Sequence, residues 1–171
     1  MCIRDRNCPT DFLLGAESAD RVFGALTARR TGRSAVVTTA DGSLGARGSV
    51  ADVLPTVVAQ ARTDVIYASA PLSVLRPVCA LARRYEIPVQ ALVSEPAMTC
   101  GTGLCMGCVL PAVGNAGITR MVRACVEGPV FRGDLVRWDD VGTVPFDALG
   151  APGWKPRPQA KKAPAGRSHG R

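Results

Sequence analysis

The sequence predicts an α/β chain in two parts: a parallel-sheet domain of alternating strands and helices, then a small cysteine-rich β domain. Three observations carry this. Strand-like and helix-like segments alternate from residue 11 to about 94, the pattern left by right-handed crossovers onto a parallel sheet. The rhythm breaks after Glu95. Beyond the break, Cys100, Cys105, Cys108 and Cys125 lie in a glycine-rich stretch spaced Cys-x4-Cys-x2-Cys-x16-Cys.

Taken in order, Asp11 to Leu14 reads as a short buried strand ending at Gly15, and Ser18 or Asp20 can cap a helix reaching about Arg30. Ala35 to Thr39 is the next strand, followed by a loop from Asp41 to Gly48, and Ser49 caps a helix to about Arg62. Asp64 to Ser69 is a third strand. Pro71 fits the start of a helix reaching Tyr85, and Pro88 to Val93 is a fourth strand. After the cysteine loop, Val109 to Val113 and Ile118 to Val126 form a hairpin around the turn Gly114-Asn115-Ala116-Gly117, so the fourth cysteine returns on a strand. Glu127 to Phe131 closes the region, with Trp138 and Phe146 expected over its small core. The domain boundaries that follow are 1–8 for a non-native or disordered start, 9–95 for the α/β domain, 96–149 for the cysteine domain and 150–171 for a disordered basic tail.

The hydrophobic fraction of 47% is enough for a core, and no apolar run is long enough to span a membrane. The formal charge of +7 is concentrated at one end. Residues 151–171 hold Lys155, Arg157, Lys161, Lys162, Arg167 and Arg171 and no acid, leaving the remainder nearly neutral. That tail is rich in Pro, Gly and Ala, with little to bury, and reads as solvated and disordered rather than as a nucleic-acid site. The single histidine, His169, lies in it, which removes histidine from any catalytic or metal-binding role. The first residues, MCIRDR, carry neither a signal-peptide pattern nor amphipathic periodicity and resemble a translated adapter scar. The chain is expected to be a fragment.

The cysteine spacing carries the chemistry. Thiolates hold iron-sulfur clusters, four for the 2Fe-2S type, and Cys-x4-Cys-x2-Cys with a distant fourth cysteine is the plant-type ferredoxin arrangement. A loop carrying Cys100, Cys105 and Cys108 must wrap tightly with its amides turned inward, which Gly101, Gly103 and Gly107 permit through positive φ or close backbone approach. A structural zinc module is the alternative, since four thiolates also satisfy tetrahedral zinc; zinc sites usually pair Cys-x2–4-Cys knuckles, and Cys105 with Cys108 forms one. A disulfide is disfavoured by the absence of a secretory pattern. Cys79 falls on the apolar face of a helix beside Leu75 and Val78 and reads as a buried free thiol, while Cys2 and Cys8 lie in the doubtful start. Glu95 and Met98 either touch a cofactor or merely connect the two parts.

These segments resemble the electron-transfer subunits of the NAD-linked, two-subunit dihydroorotate dehydrogenases, members of the ferredoxin reductase-like superfamily. The resemblance rests on Leu14-Gly15-Ala16, on Thr39 to Gly45 with Gly48, on Ala68-Ser69-Ala70-Pro71, and most specifically on Met98 to Cys108 followed by Cys125 to Phe131. It implies a partial Rossmann-like, ferredoxin reductase-type nucleotide-binding domain joined to a 2Fe-2S domain. It also implies a cytoplasmic relay in pyrimidine biosynthesis: an FMN-containing catalytic subunit, expected in a heterotetramer, oxidises dihydroorotate, and electrons cross the cluster to FAD and leave to NAD as final acceptor. Metal ligands would be Cys100, Cys105, Cys108 and Cys125, and the nucleotide site would involve Asp41, Gly42, Ser43, Ser69, Ala70 and Pro71. A plain turn explains Asp41-Gly42-Ser43 equally well.

Two departures qualify the likeness. The flavin-binding barrel and first nucleotide-domain strand of such subunits have no room before Asp11. This chain is therefore expected not to hold FAD itself and to leave a gap in its sheet. Ser69-Ala70-Pro71 stands where such subunits usually have Cys-Gly-Pro, and Ala70 adds a methyl where close approach is normal. Related subunits serve sulfite reductases and hydrogenases, which keeps a different partner open.

Overall fold

The computed structural model describes residues 8–95, 98–114 and 117–155. Most of the expected non-native start, Asn115-Ala116 of the predicted turn, and the basic tail from residue 156 with His169 lie outside the described residues.

Strand β1 (Asp11–Ala16) leads through a 3-10 turn (Ala19–Arg21) to helix α1 (Ala25–Thr31) and strand β2 (Ser34–Thr39). The helix starts later than Ser18 or Asp20 predicts. The Ser18 hydroxyl donates to the Asp20 carboxylate at 2.5 Å instead of capping, and the chain turns into α1 at Gly24 with φ 76°. β1 and β2 pair in parallel from Asp11 opposite Ser34 to Ala16 opposite Thr39. At their start the Asp11 carboxylate accepts the Arg33 guanidinium and the Ser34 hydroxyl, which holds its carboxyl below the ordinary carboxylate range.

The loop after β2 contains a two-residue strand, β3 (Ala46–Arg47), that sequence patterning does not reveal. Gly45 folds it back, with φ 73° and so close to β2 that a Cβ would stand 2.0 Å from the Val37 carbonyl oxygen. Helix α2 (Val50–Gln60) begins at Ser49 as expected, and the Asp52 carboxylate accepts the Ser49 N–H at 2.7 Å. Strand β4 (Ile66–Ser69), helix α3 (Leu72–Arg84) and strand β5 (Val89–Leu92) follow, α3 starting after Pro71.

The parallel sheet is in two halves, β1-β2-β3 and β4-β5. Among the described residues, β1 and β4 each present one edge with no strand beside it. Side-chain packing joins the halves: Leu13 of β1 and Ile66 and Ala68 of β4 rest on the buried cluster Ala51, Leu54 and Val78 of α2 and α3.

The cysteine-rich segment is not separate from this core. β6 (Val109–Val113) and β7 (Thr119–Arg123) form the predicted hairpin, Val109 opposite Arg123 through Val113 opposite Thr119. β7 then stops short of the cysteine. Cys125 stands instead on a helical turn, α4 (Ala124–Glu127), because the Glu127 carboxylate reaches back to the Arg123 N–H at 2.7 Å and breaks the strand. Strand β8 (Val130–Arg132) returns to pair antiparallel with β5, completing the order β4-β5-β8, so this half-sheet is mixed rather than wholly parallel.

α3 presents Leu75, Val78, Cys79 and Ala82, spaced i, i+3, i+4 and i+7, as its buried stripe. The main core joins Leu75, Cys79 and Ala82 to Val89, Ala91 and Val93 of the β5 region and to Cys108, Leu110, Ala124, Val136 and Trp138. Trp138 sits in a second 3-10 turn (Trp138–Asp140), its indole N–H donating to the Gly133 carbonyl at 2.7 Å. Phe146 departs from expectation: it is 72% exposed and lies over Gly153 rather than covering the core. Arg137 performs the closure by donating to Asp140, Thr119 and Asp147. No helix among the described residues is long and apolar enough to cross a membrane.

Candidate metal centre

The cysteine loop leaves the core as a backbone cradle. Thr102 and Cys105 N–H groups donate to the Cys100 sulfur at 3.4 and 3.5 Å, Gly107 N–H to the Cys105 sulfur at 3.5 Å, and Cys125 N–H to the Cys108 sulfur at 3.5 Å. Inward-turned amides of this kind stabilise negative charge on sulfur and tune iron-sulfur centres.

Two of the three glycines take the positive φ that the wrap requires, Gly101 at 65° and Gly103 at 79°. Gly107 does not. The third left-handed position is Met106 at φ 57°, which aims the Gly107 amide at Cys105. Gly103 is the tight point: it is buried, and a Cβ there would stand 2.6 Å from a methyl of Val126 on α4.

The four thiols fall into two pairs. Cys100 and Cys105 interact through their side chains, as do Cys108 and Cys125. The Cys100 thiol is lowered to about 5, first by the Cys105 N–H and then by the Thr102 contacts. Cys108 is lowered by the Cys125 N–H, while Cys125 is raised, first by its contact with the Cys108 sulfur and then by burial. Two adjoining thiols cannot both ionise freely, so one descends and the other rises. The negative charge of Cys100 also raises Cys125, which puts the two pairs within electrostatic reach of one another.

Among the described residues, no three His, Cys, Asp or Glu side chains converge to hold a single metal ion. Four soft donors in two pairs within an amide-lined loop fit a binuclear iron-sulfur group, which takes two thiolates on each iron. Cys108 is buried, Cys100 and Cys125 are half-buried and Cys105 is exposed. Leu104 and Met106, flanking Cys105, and Val126, following Cys125, are exposed apolar side chains.

Cys79 stands apart, buried against Val89 and Gly133, and burial pushes its thiol up to about 11. The Glu95 carboxylate accepts the Leu72 N–H at 3.0 Å and so ties the approach to the cysteine loop to the start of α3, a connecting role. Met98 packs against the core.

The residues expected at a nucleotide site lie after β2 (Asp41, Gly42, Ser43) and at the end of β4 (Ser69, then Ala70 and Pro71), the carboxyl ends of parallel strands where such ligands bind. Asp41 is occupied by its own turn. It accepts the Ser43 hydroxyl at 2.6 Å and the Ser43 N–H at 2.9 Å, which lower its carboxyl, and the Ser43 oxygen accepts the Ala19 N–H at 2.8 Å.

Alternating β-α units that run into a cysteine loop define a ferredoxin reductase-like fold joined to a cysteine-rich segment. A solved structure of an NADH-dependent reduced ferredoxin-NADP oxidoreductase, described for flavin-based electron bifurcation, matches with a TM-score of 0.64 and 28% identity over 78% of this chain and 46% of that one. Residues 95–137 match the iron-sulfur cluster binding domain of dihydroorotate dehydrogenase B. A probable dihydroorotate dehydrogenase B (NAD(+)) electron transfer subunit of Methanopyrus kandleri is 33% identical over 82% of this chain and 50% of that protein. The corresponding subunit of Bacillus velezensis is 36% identical over 72% and 45%. The chain belongs to the family of dihydroorotate dehydrogenase B electron transfer subunits. It spans about half the length of these curated relatives.

Proposed function

We propose that this chain relays single electrons through a 2Fe-2S cluster held by Cys100 and Cys105 on one iron and by Cys108 and Cys125 on the other. The observation that carries the reading is the pairing of four thiols inside a loop whose amides point at sulfur. The bound cluster would accept and return one electron at a time. The protein's own part is to supply thiolates, direct amides at them and exclude water from Cys108.

In this reading residues 9–95 are a nucleotide-binding-like unit and 96–149 the cluster unit, the two sharing one core. The electron donor is a cytoplasmic FMN-containing dihydroorotate dehydrogenase subunit docking at the exposed apolar side chains of Leu104, Met106 and Val126, in a heterotetramer. The acceptors are FAD and then NAD, with Asp41 to Ser43 and Ser69 to Pro71 at the nucleotide end. The chain is a relay, and no residue in it is assigned a catalytic role.

The test is reduction of the anaerobic chain by a candidate FMN-containing flavoprotein partner. Added dihydroorotate should bleach the cluster absorbance only when the partner is present. Bleaching by a partner that is inert towards dihydroorotate but active with sulfite or hydrogen would move the relay to a different oxidoreductase.

A further inference from the structure

We propose that Arg123 is a positioning residue that clasps the three-cysteine loop to the helical turn carrying Cys125, with Glu127 holding its guanidinium in place. The inference rests on the cluster reading above and deepens it. It concerns how the two sulfur pairs are kept at a fixed separation.

Cys100 and Cys105 reach the rest of the chain through a loop whose midpoint is Gly103. Its carbonyl accepts Arg123 Nη1 across the site at 3.3 Å. The same guanidinium donates through Nη2 to Glu127 Oε1 at 3.3 Å, while Glu127 Oε2 accepts the Arg123 backbone N–H at 2.7 Å. Arg123 ends β7 and Glu127 ends α4, so their pair brackets the turn on which Cys125 stands. One planar cation therefore ties the loop of the first pair to the turn of the second. Against the clasp, Gly103 is pressed so closely on Val126 that no side chain fits between them.

The residue types suit the task. A guanidinium presents several donors in a rigid fork and can serve two acceptors at once, whereas an ammonium is a compact charge that cannot span both in one geometry. The pair is more than a third exposed, at 37% for Arg123 and 40% for Glu127. Exposed ion pairs contribute little to global stability. The clasp acts on the local geometry of the loop, and its loss should register at the metal rather than in the unfolding transition.

The experiment uses the whole chain, reconstituted anaerobically, with Arg123→Met, Arg123→Lys and Glu127→Gln beside Arg120→Met, which removes the same charge from an exposed position of β7. Three quantities are read: iron and acid-labile sulfide per chain, the EPR line shape after reduction, and the rate of iron loss to a chelator. Arg123→Met should load iron and sulfide like the parent but release iron about tenfold faster, the factor expected for losing a hydrogen bond to a charged group, with a shifted EPR line shape. Arg123→Lys should not rescue the rate, Glu127→Gln should fall between, and Arg120→Met should match the parent. Parental release and line shape in both Arg123→Met and Glu127→Gln would overturn the clasp, as would equal acceleration by Arg120→Met. A parent chain that holds zinc without sulfide would instead overturn the cluster reading itself.

Discussion

Cys105→Ser is expected to abolish the visible absorption and the EPR signal of the reconstituted chain while leaving the metal-free fold almost unchanged, and Cys79→Ser is expected to do the reverse. The contrast follows from where the two thiols sit. Cys105 is exposed, at the rim of the loop, and no core packing depends on it. Exposed substitutions of that kind change the stability of the metal-free chain by about 0.5 kcal/mol or less. A hydroxyl is a poor substitute for thiolate toward iron, and one missing ligand leaves the Cys100 side of the site with a single sulfur. Cys79 is 6% exposed and lies in the main core beside Leu75 and Val89. A serine hydroxyl buried there without a partner costs about 1–3 kcal/mol, so Cys79→Ser should lower the melting temperature and keep the full spectrum. Metal content, spectrum and thermal melting of the two variants check this. If both lost the spectrum, or both kept it, the ligand assignment would be wrong.

Leu75→Ala is expected to cost about 2–5 kcal/mol of stability, the range for truncating a fully buried leucine that leaves a cavity. Leu75 is 0% exposed and contributes to the core that also holds Val93, Cys108, Leu110 and Trp138. The cavity opens in the core cluster that also holds Cys108, so on the proposed ligand assignment the same variant should also lose bound iron faster than the parent. Leu104→Ala offers the comparison. That side chain is 86% exposed on the cysteine loop, and its truncation should leave the unfolding free energy within about 0.5 kcal/mol of the parent. Equilibrium urea unfolding with an unchanged slope would show that stability rather than compactness had moved. A Leu75→Ala chain as stable as Leu104→Ala would mean that α3 does not pack on the cysteine segment as described.

The parts of the fold legible in the sequence were those with local causes. Ser49 before an apolar periodic run marked the start of α2, Pro71 marked the start of α3, and alternation around a glycine turn gave the β6-β7 hairpin. Cysteine spacing is written along the chain, and the resemblance drawn from it agrees with the family match over residues 95–137.

What the sequence did not give depended on contacts distant in the chain. Nothing local to Val130–Arg132 says that it will pair antiparallel with β5. Nor does the spacing reveal how the sulfurs divide into pairs. The segment Ile118 to Val126, which carries Cys125, reads as strand because Ile118, Thr119 and Val122 are β-branched. Its last residues turn helical only because Glu127 reaches back to Arg123, an i to i+4 relation that is invisible once the segment is taken as extended. That same misreading hid Arg123 as a contact to the loop. Met106 was missed for a different reason: a non-glycine residue at positive φ carries no signal in composition, and the neighbouring Gly107 drew the expectation to itself.

The central claim is that Cys100, Cys105, Cys108 and Cys125 together hold one binuclear cluster. The most direct measurement is iron, zinc and acid-labile sulfide per chain on anaerobically reconstituted protein, with EPR spectroscopy of the same sample after reduction. The predicted result is about two irons and two sulfides per chain, as a four-thiolate 2Fe-2S centre requires, with a rhombic signal that appears on reduction. One zinc per chain, no sulfide and no signal would contradict it.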